Sequence, residues 1–324
     1  MRRREFMMLL GGPVAAWPIT SLAAPRERPL LVWFGSATEL AASRFVGFLK
    51  EGLVELGYVD GRDIDIVGRF ANNQMDRLPA VAEEVIGLKP AIIVAGAVDT
   101  SVAAKDATST IPIVSGALAD AVHLGLVASY AHPGGNVTGI TPYIEGLPAK
   151  QMEFAREIVP DAHKVGLLGN LNDPKAVPQR QDLAEAGRTL EVEVMVPEVR
   201  SPEDLAVAIE TLASDPVQVV IVLQTTMMLG QRKKIAELMA AKGLPAVYGY
   251  REHVDEGGLI SYGVDLSWCW RHVATYVDKI LKGAHPGDLP LEFPPRVQMI
   301  ANLTTAKALG ITIPAVARPR RRGN

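Results

Sequence analysis

The chain has 324 residues, 48% hydrophobic and 21% charged, with a formal net charge of -3 and one cysteine, Cys269. That length suggests about two domains of ~150 residues and a sizeable core. The single thiol excludes an intramolecular disulfide and any Cys-rich metal site. The slight acidity speaks against a nucleic-acid binder, and no apolar run approaches the ~20 residues of a membrane helix.

The first residues read as an address. Met1-Arg2-Arg3-Arg4-Glu5-Phe6 precedes a short apolar stretch broken by Gly11, Gly12, Pro13 and Pro18. Ser21-Leu22-Ala23 then supplies the small-x-small exit of a secretory signal peptide, cut before Ala24. Arg3-Arg4-Glu5-Phe6 also fits the twin-arginine form, which exports folded proteins. Loss of residues 1–23, with three arginines and one glutamate, takes the net charge from -3 to -5. No cysteine flanks the cut, so no lipid anchor is expected there. A soluble exported protein retained by its cell points to a Gram-negative periplasm.

Strand and helix then alternate. Leu30 to Phe34 is a continuous apolar run, the mark of a strand buried on both faces. A helix follows to Leu56, with Phe45, Phe48, Leu49 and Leu53 on one face and Gly57 as its stop. Strands at 64–67, 91–95 and 111–114 surround an amphipathic helix marked by Leu78, Val81, Ala82, Val85 and Ile86. A further helix is expected to end at the turn His132-Pro133-Gly134-Gly135-Asn136, before the strand 137–140.

From Leu147 the order repeats. Helices to Val159 and Leu190, and at 202–213 and 231–242, alternate with strands at 164–168, 192–196, 217–223 and 245–248. First and fourth strands start 81 residues apart in both halves, at Leu30 and Ile111 and at Lys164 and Pro245. Two α/β lobes with parallel, Rossmann-like sheets are therefore expected. The last stretch offers strands at 259–262 and 297–301 and helices at 266–282 and 304–309. This is too little for a third core, so these elements extend the two sheets. The expected first lobe is 29–141 plus about 257–288, the second 142–256 plus about 289–316, with a basic tail at 317–324. The chain would cross between lobes near Thr141-Pro142, near Tyr250 to Gly257 and near Leu289 to Pro295, a three-strand hinge around a cleft.

Catalytic signatures are lacking. The six histidines have no metal-ligand spacing, no Gly-x-Ser-x-Gly elbow occurs, the glycines at 134–135 lack a P-loop lysine, and Cys269 reads as a packed thiol. No enzyme and no cofactor or metal is expected. The remaining chemistry lies at the carboxyl ends of the strands, where open parallel sheets bind ligands. Candidate ligand residues are Ser36, Thr38, Ala97, Ser115, Asp120, Thr141, Asn170, Thr225, Tyr250 and Asp265. Hydroxyls and N–H groups at helix starts suit a carboxylate, Asp120 and Asp265 an ammonium group, and Tyr250 with Tyr262 an apolar or aromatic side chain. The competing reading makes the small polar residues and the aspartates helix caps and the tyrosines hinge packing.

Several stretches carry a family resemblance: Gly52-Leu53-Val54-Glu55-Leu56-Gly57-Tyr58-Val59-Asp60-Gly61-Arg62, Asp76 to Ala80, Leu124 to Ser129 leading into Pro133 to Gly139, Arg251-Glu252, Gly257 to Gly263, Ile280 to Gly283 and Ala306 to Gly310. The chain resembles the substrate-binding proteins of ABC transporters, in the family that includes tryptophan- and tyrosine-type binders. It departs from the family pattern at Asp120-Ala121-Val122, where Asp-Pro-Val is usual, and at Trp268-Cys269-Trp270. The resemblance implies the type I periplasmic binding protein fold, capture of a small ligand such as an amino acid, and an ABC permease with its ATPase as partners. Rival readings are a periplasmic component for a sensor kinase or chemoreceptor, an exported enzyme, and a LacI-like regulator domain. The last would carry a helix-turn-helix where this chain has an export signal.

Overall fold

The computed structural model describes residues 28–142, 144, 146–173 and 175–313. The signal-peptide expectation for 1–23 and the tail at 317–324 lie outside them. Two sheets organise the chain. The first is five-stranded and wholly parallel, in the order β2-β1-β3-β4-β5. Its strands are β1 (Leu30–Gly35), β2 (Asp65–Phe70), β3 (Ile92–Ala95), β4 (Ile113–Ser115) and β5 (Val137–Gly139). The second runs β11-β10-β9-β8-β6-β7 and is parallel except for its β10–β11 pair. It comprises β6 (Lys164–Leu168), β7 (Glu193–Met195), β8 (Val219–Val222), β9 (Ala246–Tyr248), β10 (Ile260–Val264) and β11 (Val297–Ala301).

Alternation along β1 explains why its sequence is apolar throughout. Leu31 and Trp33 face one core, with α1 (Glu39–Glu55) and α10 (Leu266–Leu281), while Val32 and Phe34 face another, with α2 (Leu78–Gly87) and α3 (Val98–Ala107). The second sheet is likewise covered on both faces. One core holds α4 (Leu147–Ile158), α5 (Ala176–Thr189) and α11 (Leu303–Ala308). The other holds α6 (Leu205–Ser214), α7 (Thr226–Gly230), α8 (Arg232–Ala241) and Val254 of α9 (Arg251–Asp255). The architecture is the expected pair of α/β lobes.

The structure corrects three expectations. Residues 257–264 were assigned to the first lobe, but Ile260 and Ser261 pair with Val247 and Tyr248, so β10 extends the second sheet. Only then does the chain pass to the first lobe, through α10, which packs along α1. The second crossing therefore lies at Val264–Leu266, not at 250–257. Nor does a helix lead to His132. Asp120 (φ 54°) and Gly125 (φ 65°) take left-handed conformations that turn the chain, and 116–136 is a packed loop. Conversely α3, α7 and α9 were not anticipated. At the first and third crossings, Thr141 N–H donates to Glu292 O at 2.9 Å and Glu292 N–H to Gly139 O at 3.1 Å, so the two segments pair.

Candidate functional site

Each sheet reverses its winding once. In the first lobe the switch lies between β1 and β3, in the second between β6 and β8. Loops leaving strands at such a point diverge and open a crevice. The two crevices face each other across one cleft of about 990 Å³, lined by Ser36 and Asp99 of the first lobe and by Asn170, Asp173 and Thr226 of the second.

The loop after β6 is built around Asp173. Its Oδ1 accepts the Lys175 N–H and its Oδ2 the Thr226 N–H, both at 3.0 Å, tying this loop to the one after β8. Lys175 is only 8% exposed; its Nζ donates to Thr226 Oγ1 at 3.2 Å and lies 3.9 Å from Asp173 Oδ2. Burial opposes its charge, but Asp173, Tyr250 and Asp99 outweigh it and raise the ammonium pKa above the usual lysine value. A second brace lies behind: Gln179 Oε1 accepts the Gln224 N–H at 2.7 Å, and Gln224 Nε2 donates to Gly249 O at 2.9 Å.

Asp99 stands opposite, in the first turn of α3, with Ser36 within hydrogen-bonding reach of its carboxylate. Burial pushes its pKa up; the Thr100 N–H at 2.7 Å, Ser36 and Lys175 pull the other way without cancelling the rise. Asn72 (φ 54°) and Asn73 (φ 64°) form a left-handed corner on the same wall, where Asn73 N–H donates to Ser36 O at 2.8 Å.

An aromatic wall lies on the other face of the first sheet. Trp33 and Trp270 have ring centroids 4.6 Å apart, and Phe45 is 6.3 Å from Trp270. Gly116 makes room, since a Cβ there would stand 2.9 Å from the Trp270 ring. Tyr250 and Val264 of the second lobe join this cluster. Trp33 Nε1 and the hydroxyl of Thr225 are buried without a hydrogen-bond partner.

Of the residues expected from sequence, Ser36 and Asn170 line the cleft, and Tyr250 and the buried Thr225 adjoin it. Four have local duties. Thr38 caps α1 through Ala41 N–H at 3.3 Å, and Ala97 O accepts the Thr100 and Ser101 hydroxyls. Ser115 Oγ accepts Ala117 N–H at 3.1 Å, and Asp265 Oδ1 accepts the N–H groups of Ser267 and Trp268 as the cap of α10. Asp120 sits in the loop beside Tyr130, and Thr141 at the first crossing. Asp99 and Lys175 were missed. The signal that finds them is position: Lys175 ends the switch-point loop after β6, and Asp99 lies in the first turn of the helix that follows β3.

The family model described as ABC transporter substrate binding protein matches residues 40–317. The chain belongs to this family. A tyrosine-binding protein of Clostridioides difficile (strain R20291) is 27% identical over 263 residues, covering 81% of this chain and 75% of that protein. A conserved domain protein from Vibrio cholerae shares 24% identity, with TM-score 0.83 over 90% of this chain and 97% of its own. An ABC domain in complex with L-Trp, from Streptococcus pneumonia, shares 20% identity with TM-score 0.82 and the same coverage. The fold is that of the type I periplasmic binding proteins, and the family is one of substrate-binding proteins. No helix among the described residues is long and apolar enough to cross a membrane.

Proposed function

We propose that the protein captures an amino acid between its lobes in the periplasm and hands it to an ABC permease driven by its ATPase. The observation that carries this is the opposed pair of the buried Lys175 and the half-buried Asp99, one from each lobe, at the two facing switch points. A zwitterion fits between them. Its carboxylate meets Lys175 with the hydroxyls of Thr225 and Thr226, and its ammonium meets Asp99 beside Ser36. Ligand contacts then come from both lobes and favour the closed state. Tyr250, which adjoins Lys175 at the edge of the cleft, supplies an aromatic side for the ligand's side chain. The tyrosine-binding relative and the L-Trp complex support an aromatic amino acid. Export by the twin-arginine route, cleavage before Ala24 and a freely soluble mature chain complete the proposal.

A thermal-shift screen of the twenty amino acids, matched decarboxylated amines, sugars and nucleosides tests it. A ligand at 100 times its Kd raises stability by about 2.7 kcal/mol. A shift with amino acids and a much smaller one with the amines at the same concentration is expected. A response to sugars or nucleosides alone would overturn the amino-acid assignment.

A further inference from the structure

We propose that closing the two lobes takes up a proton at Glu252. The residue lies in α9 of the second lobe, is 1% exposed, and neither carboxylate oxygen accepts a hydrogen bond from another residue. Its surroundings come from both lobes. From α1 of the first lobe Arg44 reaches across to Asp255 of α9 at 2.9 Å, forming a pair at the rim above Glu252. From α10 of the first lobe comes the buried thiol of Cys269, close enough to sense the Glu252 charge.

The groups facing Glu252 do not replace water. Within its own helix Arg251 attracts the ionised form and Asp255 repels it, and Tyr250 precedes it. The strands behind α9 are β9, β10 and β11, which carry no charged residue, and Arg232 of α8 is held by Glu256 at 3.6 Å. Burial raises the Glu252 pKa, and its own amide, Arg44 and Arg251 offset only part of that rise. Opening separates α9 from α1 and α10 and admits water to the carboxyl, which then ionises as an ordinary glutamate.

The linkage has a definite sign. The closed state holds the proton more tightly than the open one, so closure is favoured by acid. Its advantage declines as pH rises from the ordinary glutamate value through the raised one, and is flat above that. One proton sets a ceiling of about tenfold in the open-to-closed ratio per pH unit.

This inference rests on the two-lobe capture reading for its hinge alone. Its test therefore uses the empty protein, so a wrong amino-acid assignment leaves the result interpretable. Small-angle scattering of the mature chain is followed from pH 8 to pH 5, with far-UV circular dichroism as the check on folding. Expected are a radius that shrinks on acidification in the wild type and a smaller, pH-independent radius in Glu252→Gln. Arg44→Ala removes the rim pair and leaves the buried acid; its radius is larger throughout but keeps the pH response. A wild-type radius that does not change, or the same pH response in wild type and Glu252→Gln, overturns the proposal.

Discussion

Replacing Lys175 by methionine keeps the volume of the side chain and deletes its charge. At 3.9 Å from Asp173 Oδ2 the ammonium takes part in a gross attraction of about 4 kcal/mol at an effective dielectric constant of ~20. A ligand carboxylate seated against Nζ gains a similar gross term, of which a charged hydrogen bond retains about 2–3 kcal/mol after desolvation. Kd for L-tyrosine or L-tryptophan should therefore rise roughly 30- to 150-fold. Calorimetry on wild type and Lys175→Met, each with L-tyrosine and tyramine, makes a double-mutant cycle. Tyramine has no carboxylate, so the substitution should cost it nothing and the whole loss should appear as coupling. A Kd for L-tyrosine within threefold of wild type, or an equal loss with tyramine, would refute the assignment of Lys175 to the carboxylate.

Gly116→Ala forces the Trp270 ring away from a Cβ at 2.9 Å and should cost about 1–3 kcal/mol in urea unfolding, reduced again in the double variant with Trp270→Leu. His253 is fully buried, stacked on Tyr248 at 4.7 Å, with its two ring nitrogens near Tyr250 O and Met228 O; burial lowers its pKa to about 4. Because the unfolded chain binds that proton more readily, the neutral ring's stabilisation is complete above the ordinary histidine value. It is lost as pH falls toward 4, by up to ~3 kcal/mol. Melting curves of wild type and His253→Gln should converge on acidification through that window; a constant gap would contradict it. Arg3→Lys with Arg4→Lys should hold the precursor in the cytoplasm, and unchanged export with the general secretion route blocked would dispose of the twin-arginine reading. Cys269, whose thiol pKa burial pushes up, should react with a thiol reagent only after unfolding, and fast labelling of the native chain would contradict its packing.

The buried strands were legible because parallel strands covered on both faces must be apolar at every position, as in Leu30 to Phe34 and Val219 to Val222. The helix α3 was not, because its inner face is built from Thr100 and Ser101, whose hydroxyls return to Ala97 O at 2.9 and 2.8 Å. With α3 unseen, Asp99 had no place in the cleft. Lys175 escaped for a related reason. Sequence reasoning puts lysines in water, whereas here Asp173, two residues earlier, compensates for burial. A helix was expected to end at His132, but left-handed turns at Asp120 and Gly125 make this stretch a loop, from which Leu118 and Leu126 fold inward. The second-sheet membership of β10 depends on pairing with β9 and β11, a long-range fact that no local pattern encodes.

The pairing of the first and third crossings through Thr141 and Glu292 limits the mechanics of the joint. Two strands bonded side by side behave as a ribbon. A ribbon flexes out of its plane at little cost, but sliding one strand along the other would break the bonds between them. The anchor is reinforced at its edge, where His272 Nε2 meets Glu292 Oε2 at 2.7 Å under the face of Trp268. Relative motion of the lobes is thereby reduced toward a single bending coordinate, and lateral shear is suppressed. In the proposed capture cycle each closing stroke would bring Lys175 and Asp99 back to the same separation and register, so that selectivity would be written in the joint as well as in the cleft.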